Sequence, residues 1–298
     1  MEEVLIAFCI SLPMNLLFRV IGVRFGFVDK PGGVLKPHEK PVPYLGGTAI
    51  LLSVFPWFLN YPHFFLPFVI MWAVGFVDDV RGLTPRIRLA IELLGGFAIA
   101  YIIYGYSFID SAILAFIFGA AVNAYNMVDG LDGICAGNAI VFAVFASLAG
   151  FVPSFSLVFA GAFAGYLVLN YPPAKIFMGD QGSYLAGTFI GLLLIQSWDS
   201  QNFVRVVALS WPVILDLFIG FIRRSLAGKS PFKGDRDHYY DKIFVLTGKK
   251  KRATFFVSVC IALFYAFVGL LIPVKAIPPV LLVSSIVQVT LLKSLRST

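Results

Sequence analysis

Long runs of apolar residues, repeated through almost the whole chain, restrict its fold more than any other feature. A run of about 20 apolar residues spans the hydrocarbon core of a bilayer. We identify eleven candidate spans, at roughly 3–21, 44–61, 62–78, 88–105, 109–127, 135–152, 154–171, 183–198, 203–222, 253–273 and 277–292. Only 13% of the 298 residues are charged, about half the fraction in a soluble domain. The sequence therefore predicts an all-α, polytopic membrane protein.

The distribution of basic residues predicts how the spans are oriented. Lys and Arg collect on the cytoplasmic side of membrane proteins. If the N-terminus lies outside, the inner side receives all of the 23 Lys and Arg residues except Arg205 and Lys275. We therefore predict an external N-terminus, a cytoplasmic C-terminus and one membrane-embedded domain over residues 1–298. This bias also explains the net charge of +7, which gives no support to nucleic-acid binding.

Ten of the sixteen acidic residues also map to the inner side. Five of them belong to loops that whole spans separate: Asp78, Asp79, Asp129, Asp132 and Asp180. Carboxylates at the edge of a membrane are costly unless they are paired or bound to a cation. A cluster of oxygen ligands suits Mg²⁺ that is held together with substrate phosphates. We therefore predict that these loops converge on one rim of the bundle.

Two of these loops carry compact polar motifs. Asp78 and Asp79 end the third span, where adjacent carboxylates favour a shared cation or a general base; a polar stop at a helix end is the alternative. Asn126, Asp129 and Asp132 recur every third residue, beside glycines that permit close approach of a ligand. Three polar residues at the end of an apolar helix indicate a binding site rather than a helix cap.

The other inner loops add candidates for binding phosphate. Arg86 and Arg88 open the fourth span, either as phosphate ligands or as charges that set the topology. Asp180 precedes a helix start that offers free N–H groups to an anion, or it serves only as the N-cap. His238 is the one histidine near the acidic rim. It either donates to a phosphate or carries a proton, or it is a solvated loop residue. The basic run 249–252 is typical of a cytoplasmic loop that sets the topology and attracts anionic lipid.

Taken in order, these blocks resemble the polyprenyl-phosphate N-acetylhexosamine-1-phosphate transferases, glycosyltransferase family 4. The resemblance covers roughly residues 26–245, including Lys-x-x-Pro-x-x-Gly-Gly at 40–47 and Asn-x-x-Asp-Gly-x-Asp-Gly at 126–133. It implies transfer of a sugar-1-phosphate, in the first instance GlcNAc-1-phosphate, from a UDP-sugar to undecaprenyl or another polyprenyl phosphate. UMP would be released, with Mg²⁺ or alternatively Mn²⁺ as the cofactor.

The same resemblance implies a cellular setting. The enzyme would lie in the cell (inner) membrane as a multi-pass protein, with its active site on the cytoplasmic face. It would catalyse the first membrane step of a cell-envelope glycan such as lipopolysaccharide or teichoic acid. A homodimer is one assembly that we leave open.

The resemblance also implies a role for individual residues. The implied catalytic residues are Lys40 near the donor phosphates, His238, and Asp78 and Asp79, either of which could be the base on the lipid phosphate. Asp180 and Asn126 are the implied metal ligands. The implied substrate-binding residues include a uracil-binding Asn and a stacking Phe: Arg88, Asp129, Asp132, Asn170, Phe177 and Arg236.

One departure from the family pattern leaves the sugar open. The GlcNAc branch ends its last inner loop with Asp-Arg-Asp-His-x-His-His, whereas residues 235–241 here read Asp-Arg-Asp-His-Tyr-Tyr-Asp. The Asp-Arg-Asp-His string and the compact length still favour that branch over the phospho-MurNAc-pentapeptide transferases of peptidoglycan synthesis.

Two other classes of protein are less compatible with the sequence. A CDP-alcohol phosphotransferase needs an Asp-Gly-x-x-Ala-Arg run, which residues 129–135 lack. A secondary transporter places ionisable residues at mid-bilayer, where only Glu92 and Asp216 are candidates. Movement of a solute without consumption of a nucleotide sugar would favour the transporter.

Overall fold

The computed structural model describes residues 2–32, 40–230 and 235–293, and it is predominantly helical. The helices within these ranges are α1 (Glu2–Phe25), α2 (Gly46–Val54), α3 (Pro62–Arg81), α4 (Pro85–Ala98), α5 (Phe108–Val128), α6 (Ile134–Leu148), α7 (Pro153–Asn170), α8 (Gly179–Gln196), α9 (Asn202–Leu209), α10 (Trp211–Leu226), α11 (Tyr239–Leu246), α12 (Lys251–Leu271) and α13 (Ile277–Lys293). Two short strands, β1 (Val28–Asp29) and β2 (Val42–Pro43), pair antiparallel.

Six helical segments in the described ranges are long and apolar enough to cross a bilayer: α1, α3, α5, α7, α12 and the segment Val274–Leu292 that contains most of α13. A bend of 76° separates α9 from α10, and the two together make a seventh crossing if they are one span. Four of the predicted spans correspond to α2, α4, α6 and α8, which do not meet this criterion. The protein is therefore an all-α, multi-pass membrane protein, while the count of eleven crossings and the orientation of the termini stay predictions.

Helix α8 lies at the centre of the bundle. Its residues 181–195 are all buried, and it packs against α3 on one side and α5 on another. A helix that is apolar all round is expected in such a position. At the periphery, α1 packs on α7 and leaves Leu5 and Val20 exposed, as suits a surface that faces lipid.

Glycines allow α2 and α3 to approach the N-terminal end of α8. A Cβ atom added to Gly47 would overlap the backbone nitrogen of Gly182, and one added to Gly75 would overlap the backbone of Gln181. Only glycine therefore fits at these two crossings. The close packing fixes the start of α8 against the end of α3, and with it the side chain of Asp180.

Backbone hydrogen bonds attach the segment before α8 to the start of α2. The Phe177 N–H donates to the Pro43 carbonyl at 2.8 Å, and the Phe177 carbonyl accepts from the Gly46 N–H at 3.0 Å. The Gly47 N–H donates to the Met178 carbonyl at 2.9 Å. Hydrogen bonds to β2 and to the start of α2 therefore fix the loop that precedes Asp180.

Candidate active site

A cavity of about 540 Å³ opens where α3, α5 and α8 meet, and we term it the acidic cavity. It collects most of the site residues that the sequence predicts: Asp78, Asp79, Asn126, Asp129, Asp132, Asn170, Phe177 and Asp180. Loops that are separated by whole helices thus meet at one place, although the role of each residue stays a prediction.

A second cavity, of about 590 Å³, adjoins the first, and we term it the apolar groove. Its apolar lining comes from α4, α5 and α10 and includes Leu89, Leu93, Phe116, Leu217 and Phe221. Arg88, Arg236 and His238 contribute polar groups to its lining. Asn126 and Gly130 line both cavities. The predicted residues therefore divide between two adjoining chambers, and Lys40, which is exposed, is not among the residues that line either.

Asp180, in the first turn of α8, contacts Asn126, the other predicted metal ligand, and lies near an arginine. Its Oδ1 accepts a hydrogen bond from Asn126 Nδ2 at 2.7 Å. Its Oδ2 lies 3.6 Å from Arg88 Nη1. The same Arg88 nitrogen is 2.7 Å from Asp78 Oδ2. Carboxylate oxygens, an amide and a guanidinium thus lie side by side at this point of the fold.

The adjacent residues Asp78 and Asp79 have different partners. The Asp79 carboxylate accepts hydrogen bonds from the backbone N–H groups of Asp180 at 2.9 Å and Gln181 at 3.3 Å, and from the Gln181 side chain at 3.0 Å. It therefore sits at the positive, N-terminal end of α8, where a negative charge is stabilised. Asp78 instead shares Arg88 with Asp180. Asp79 therefore contacts the start of α8, whereas Asp78 contacts Arg88.

The chemistry of these residues fits a divalent cation. Burial, together with the nearby carboxylates of Asp180, Asp79 and Asp132, raises the pKa of Asp129 well above its usual range. A bound cation removes such repulsion. Within the described residues, no three Asp, Glu, His or Cys side chains already surround a common ion position. The protein would thus supply part of a coordination shell, and Mg²⁺ commonly completes its shell with water and substrate phosphate.

Asn170, implied as a uracil-binding residue, also supports the wall of the acidic cavity. Its side-chain oxygen accepts a hydrogen bond from the Gly133 N–H at 2.8 Å, and its amide nitrogen donates to the Ile176 carbonyl at 2.8 Å. The side chain is buried. Asn170 therefore joins the end of α7 to the start of α6 and to the loop before α8. Its contact with a nucleotide stays a prediction.

Lys251 is a residue of the cavity that sequence reasoning missed. Its Nζ lies 3.0 Å from Asp132 Oδ2, and it is the one basic side chain among the described residues that line the acidic cavity. In the sequence it belongs to the basic run 249–252, where nothing distinguishes it from its neighbours. The pairing with a residue 119 positions earlier is visible only in the folded chain.

Replacing Lys251 by Met is expected to raise the KM for a phosphate-bearing donor about tenfold, because a charge-assisted hydrogen bond contributes about 1.5 kcal/mol or more. Steady-state kinetics with varied donor would measure this effect. Lys250→Met is the matched control, since Lys250 is the preceding residue of the same run and is exposed. Equal KM values for the two variants would show that Lys251 serves topology alone.

His238 is buried beside the apolar groove, so the alternative of a solvated loop histidine is wrong. Burial lowers the pKa of the imidazole, but the hydrogen bond and charge of Asp216, with the charges of Asp241 and Asp235, outweigh it and raise the pKa. Arg236 donates to the Gly130 carbonyl at 2.8 Å and pairs with Asp241 at 2.8 Å. Arg236 is thereby held against Gly130, which lines both cavities.

Comparison with known proteins identifies the family of the chain. Residues 61–198 match the sequence model described as glycosyl transferase family 4. The chain is 30% identical to the undecaprenyl-phosphate alpha-N-acetylglucosaminyl 1-phosphate transferase of Thermotoga maritima, over 88% of this chain and 87% of that protein. It is 28% identical to a putative glycosyltransferase of Methanocaldococcus jannaschii, over 91% and 96%.

A further relative is the decaprenyl-phosphate N-acetylglucosaminephosphotransferase of Mycolicibacterium smegmatis, which is 27% identical over 85% of this chain and 75% of that protein. The matched region includes the helices that carry Asp78, Asn126 and Asp180. The chain therefore belongs to glycosyl transferase family 4, the family of the polyprenyl-phosphate N-acetylhexosamine-1-phosphate transferases.

Proposed function

We propose that this protein transfers GlcNAc-1-phosphate from UDP-GlcNAc to a polyprenyl phosphate, in the first instance undecaprenyl phosphate, and releases UMP. The observation that carries the proposal is the pair of adjoining chambers that share Asn126 and Gly130. A hydrophilic nucleotide sugar suits the chamber lined by carboxylates, and a lipid phosphate suits the apolar one. The printed names of the relatives, which specify polyprenyl phosphates and N-acetylglucosamine, support the same pair of substrates.

The donor would occupy the acidic cavity. Asp180 and Asn126 would hold Mg²⁺, or Mn²⁺, which supplies positive charge to the donor pyrophosphate. Phe177 would stack on the uracil, with Asp129 and Asp132 contributing nucleotide contacts. Lys251 adds a positive charge at the wall of the cavity that Asp132 shares. Lys40 would approach the donor phosphates from the first inner loop.

The phosphate of the acceptor would lie beside Arg88, which lines the apolar groove and pairs with Asp78 and Asp180. Asp78 would take or orient the proton of the lipid phosphate. An oxygen of that phosphate then attacks the sugar-linked phosphorus of the donor, a new phosphorus–oxygen bond forms, and the bond to UMP breaks. Positioning and electrostatic stabilisation account for most of the acceleration in such transfers, and Arg88, Arg236 and His238 would stabilise the developing negative charge.

The two chambers would open at the cytoplasmic face of the cell (inner) membrane. The concentration of basic residues in the loops on one side supports this orientation. The lipid-linked sugar that forms there would be the starting unit of a cell-envelope glycan.

The proposal predicts that UMP appears only when nucleotide sugar, lipid phosphate and divalent metal are all present. Detergent-purified protein would be assayed with undecaprenyl phosphate and a panel of UDP-sugars that includes UDP-GlcNAc and UDP-MurNAc-pentapeptide. We expect UDP-GlcNAc to react fastest, EDTA to abolish UMP release, and added Mg²⁺ or Mn²⁺ to restore it, because the acidic cavity needs a cation to accept a pyrophosphate. UMP release that persists in EDTA, or no release with any donor, would refute the proposal.

A further inference from the structure

Asp216 and His238 form a buried pair whose acidic member has no role in the mechanism above. Asp216, in α10, is 5% exposed, and His238 is 4% exposed. Asp216 Oδ2 lies 2.7 Å from His238 Nδ1, and Asp216 Oδ1 accepts a hydrogen bond from the Tyr239 N–H at 2.8 Å. Both carboxylate oxygens are thus occupied by neighbouring groups of one segment. The carboxylate is fixed relative to the imidazole ring.

Other contacts fix the plane of the ring. The Tyr240 ring is nearly parallel to the His238 ring, with centroids 5.6 Å apart and an angle of 9°. The His238 backbone N–H donates to Asp241 Oδ2 at 3.2 Å, as part of the cap that starts α11. Tyr240 is itself held by a hydrogen bond from its hydroxyl to the Met127 carbonyl at 3.0 Å. The imidazole therefore has little freedom to rotate.

The second ring nitrogen belongs to a side chain that lines the apolar groove. With Nδ1 bound to Asp216, Nε2 lies 3.6 Å from Asp235 Oδ1, which is too long for a hydrogen bond. His238 lines the apolar groove together with Arg88 and Arg236. Nitrogen donors from two parts of the chain, Arg88 of α4 and the segment that holds Arg236 and His238, thus border one cavity, where a phosphate would accept hydrogen bonds from them.

We propose that Asp216 is a positioning residue that holds the His238 imidazole by its Nδ1, so that its Nε2–H is presented to a phosphate bound in the apolar groove. The proposal rests on the function proposed above, in which that phosphate belongs to the lipid acceptor. A carboxylate that orients a histidine in this manner also stabilises its cationic form.

Three carboxylates near the imidazole, Asp216, Asp241 and Asp235, favour its cationic form. The titratable and charged groups packed near it are Asp216, Arg223 and Arg224 of α10, Asp235 and Arg236 before α11, Tyr240 and Asp241 of α11, and Arg88 across the groove. Asp216 is the one that bonds directly to the ring. An imidazolium that donates to phosphate is present below its pKa and is lost as the pH rises through that pKa. Removing the Asp216 charge lowers the pKa of His238, so that the imidazolium is lost at lower pH.

The first test compares pH–rate profiles of UMP release. Asp216→Asn is expected to lower kcat about 10- to 100-fold and to move the alkaline fall of activity to lower pH. Asp216→Glu keeps the charge and should restore the parent position of that fall. In a His238→Gln background, Asp216→Asn should cause little further loss, since both act through the same imidazole. Asp237→Asn is the control: its carboxylate pairs with Arg223 and Lys242 in the same region, and we expect the parent profile.

A second measurement is independent of turnover. The chain has three histidines, so ¹³C-histidine-labelled protein gives few signals, and His238→Gln identifies the one of interest. We expect this signal to titrate at higher pH in the parent than in Asp216→Asn, and to shift when a polyprenyl phosphate is added. If Asp216→Asn does not fold, the parent protein alone still tests the proposal. A His238 signal that titrates like that of free histidine, or that does not shift when lipid phosphate is added, overturns it.

The two measurements separate this inference from the proposed function. A parent protein that releases no UMP, while its His238 signal responds to Asp216→Asn and to lipid phosphate, supports the positioning role and refutes the transferase assignment. An active parent whose pH profile and His238 titration are unchanged in Asp216→Asn refutes the positioning role alone. Losses that simply add in the double variant also count against it.

Discussion

Replacing Asp180 by Asn is expected to reduce UMP release about 10³-fold, the range in which a group that stabilises transition-state charge acts. Asp180 contacts Asn126 at 2.7 Å and lies 3.6 Å from Arg88, so the substitution removes a charge at the point where the two chambers meet. Asn has nearly the shape of Asp, which preserves the packing of α8. The measurement is kcat for UMP release at saturating UDP-GlcNAc and lipid phosphate.

The control for this experiment is the same substitution at Asp110. Asp110 lies in the first turn of α5, at the helix end opposite Asn126, and it is bonded to Ser107 and Trp198. Asp110→Asn should therefore leave kcat within about twofold of the parent, as is usual for changes away from a site. Near-normal turnover of Asp180→Asn would remove Asp180 from the role given to it here, and equal losses in both variants would indicate a general effect on folding.

Replacing Gly75 by Ala is expected to inactivate the protein by displacing a helix rather than by changing a chemical group. The added Cβ would overlap the backbone of Gln181 at the start of α8. Overpacking of this kind costs about 1–3 kcal/mol. It would also move the Asp180 side chain away from Asn126, and the Asp180 backbone N–H away from Asp79. We expect a lower midpoint of thermal unfolding in detergent, and at least a tenfold loss of UMP release.

Gly95→Ala is the matched control for this substitution. Gly95 also lies inside a helix, α4, but no atom lies within 4 Å of a Cβ added there. Alanine is favoured over glycine by about 1 kcal/mol in a helix interior, so this variant should be as stable as the parent or slightly more stable. If Gly75→Ala behaved in the same way, the close contact between α3 and α8 would not be what places Asp180.

The sequence predicts the chemistry of the site better than its geometry. Asn126, Asp129 and Asp132 stand out because three polar residues at short, regular spacing interrupt an apolar helix end. Asp180 stands out because it precedes a helix start that offers free N–H groups. Hydropathy likewise predicts the all-α membrane class, because it is summed over many residues. These signals are local, and a single sequence displays them directly.

The contacts that assemble the site depend on positions far apart in the chain. Lys251 pairs with Asp132 across 119 positions, and Asn126 with Asp180 across 54. Periodicity and composition contain no information about such pairs. For the same reason, the sequence shows Asp216 only as an ionisable residue near a span, and its pairing with His238 is visible only in the folded chain.

Span lengths are also poorly predicted for a bundle with a fully buried helix. Hydropathy does not distinguish an apolar segment that faces lipid from one that faces protein. Helix α6, for example, has 15 residues, fewer than the roughly 20 that cross a bilayer. The bend between α9 and α10 was equally invisible, because the residues on both sides of Ser210 are similarly apolar.

Because the segment 126–130 is a common partition, a single small molecule could be built to occupy both chambers at once. A uridine-like head joined to an apolar tail would make the second contact intramolecular, and a short linker gives an effective concentration in the millimolar range. Under the proposed function, a substitution in the segment 126–130 that excludes the inhibitor would also disturb the binding of the nucleotide, the lipid or both.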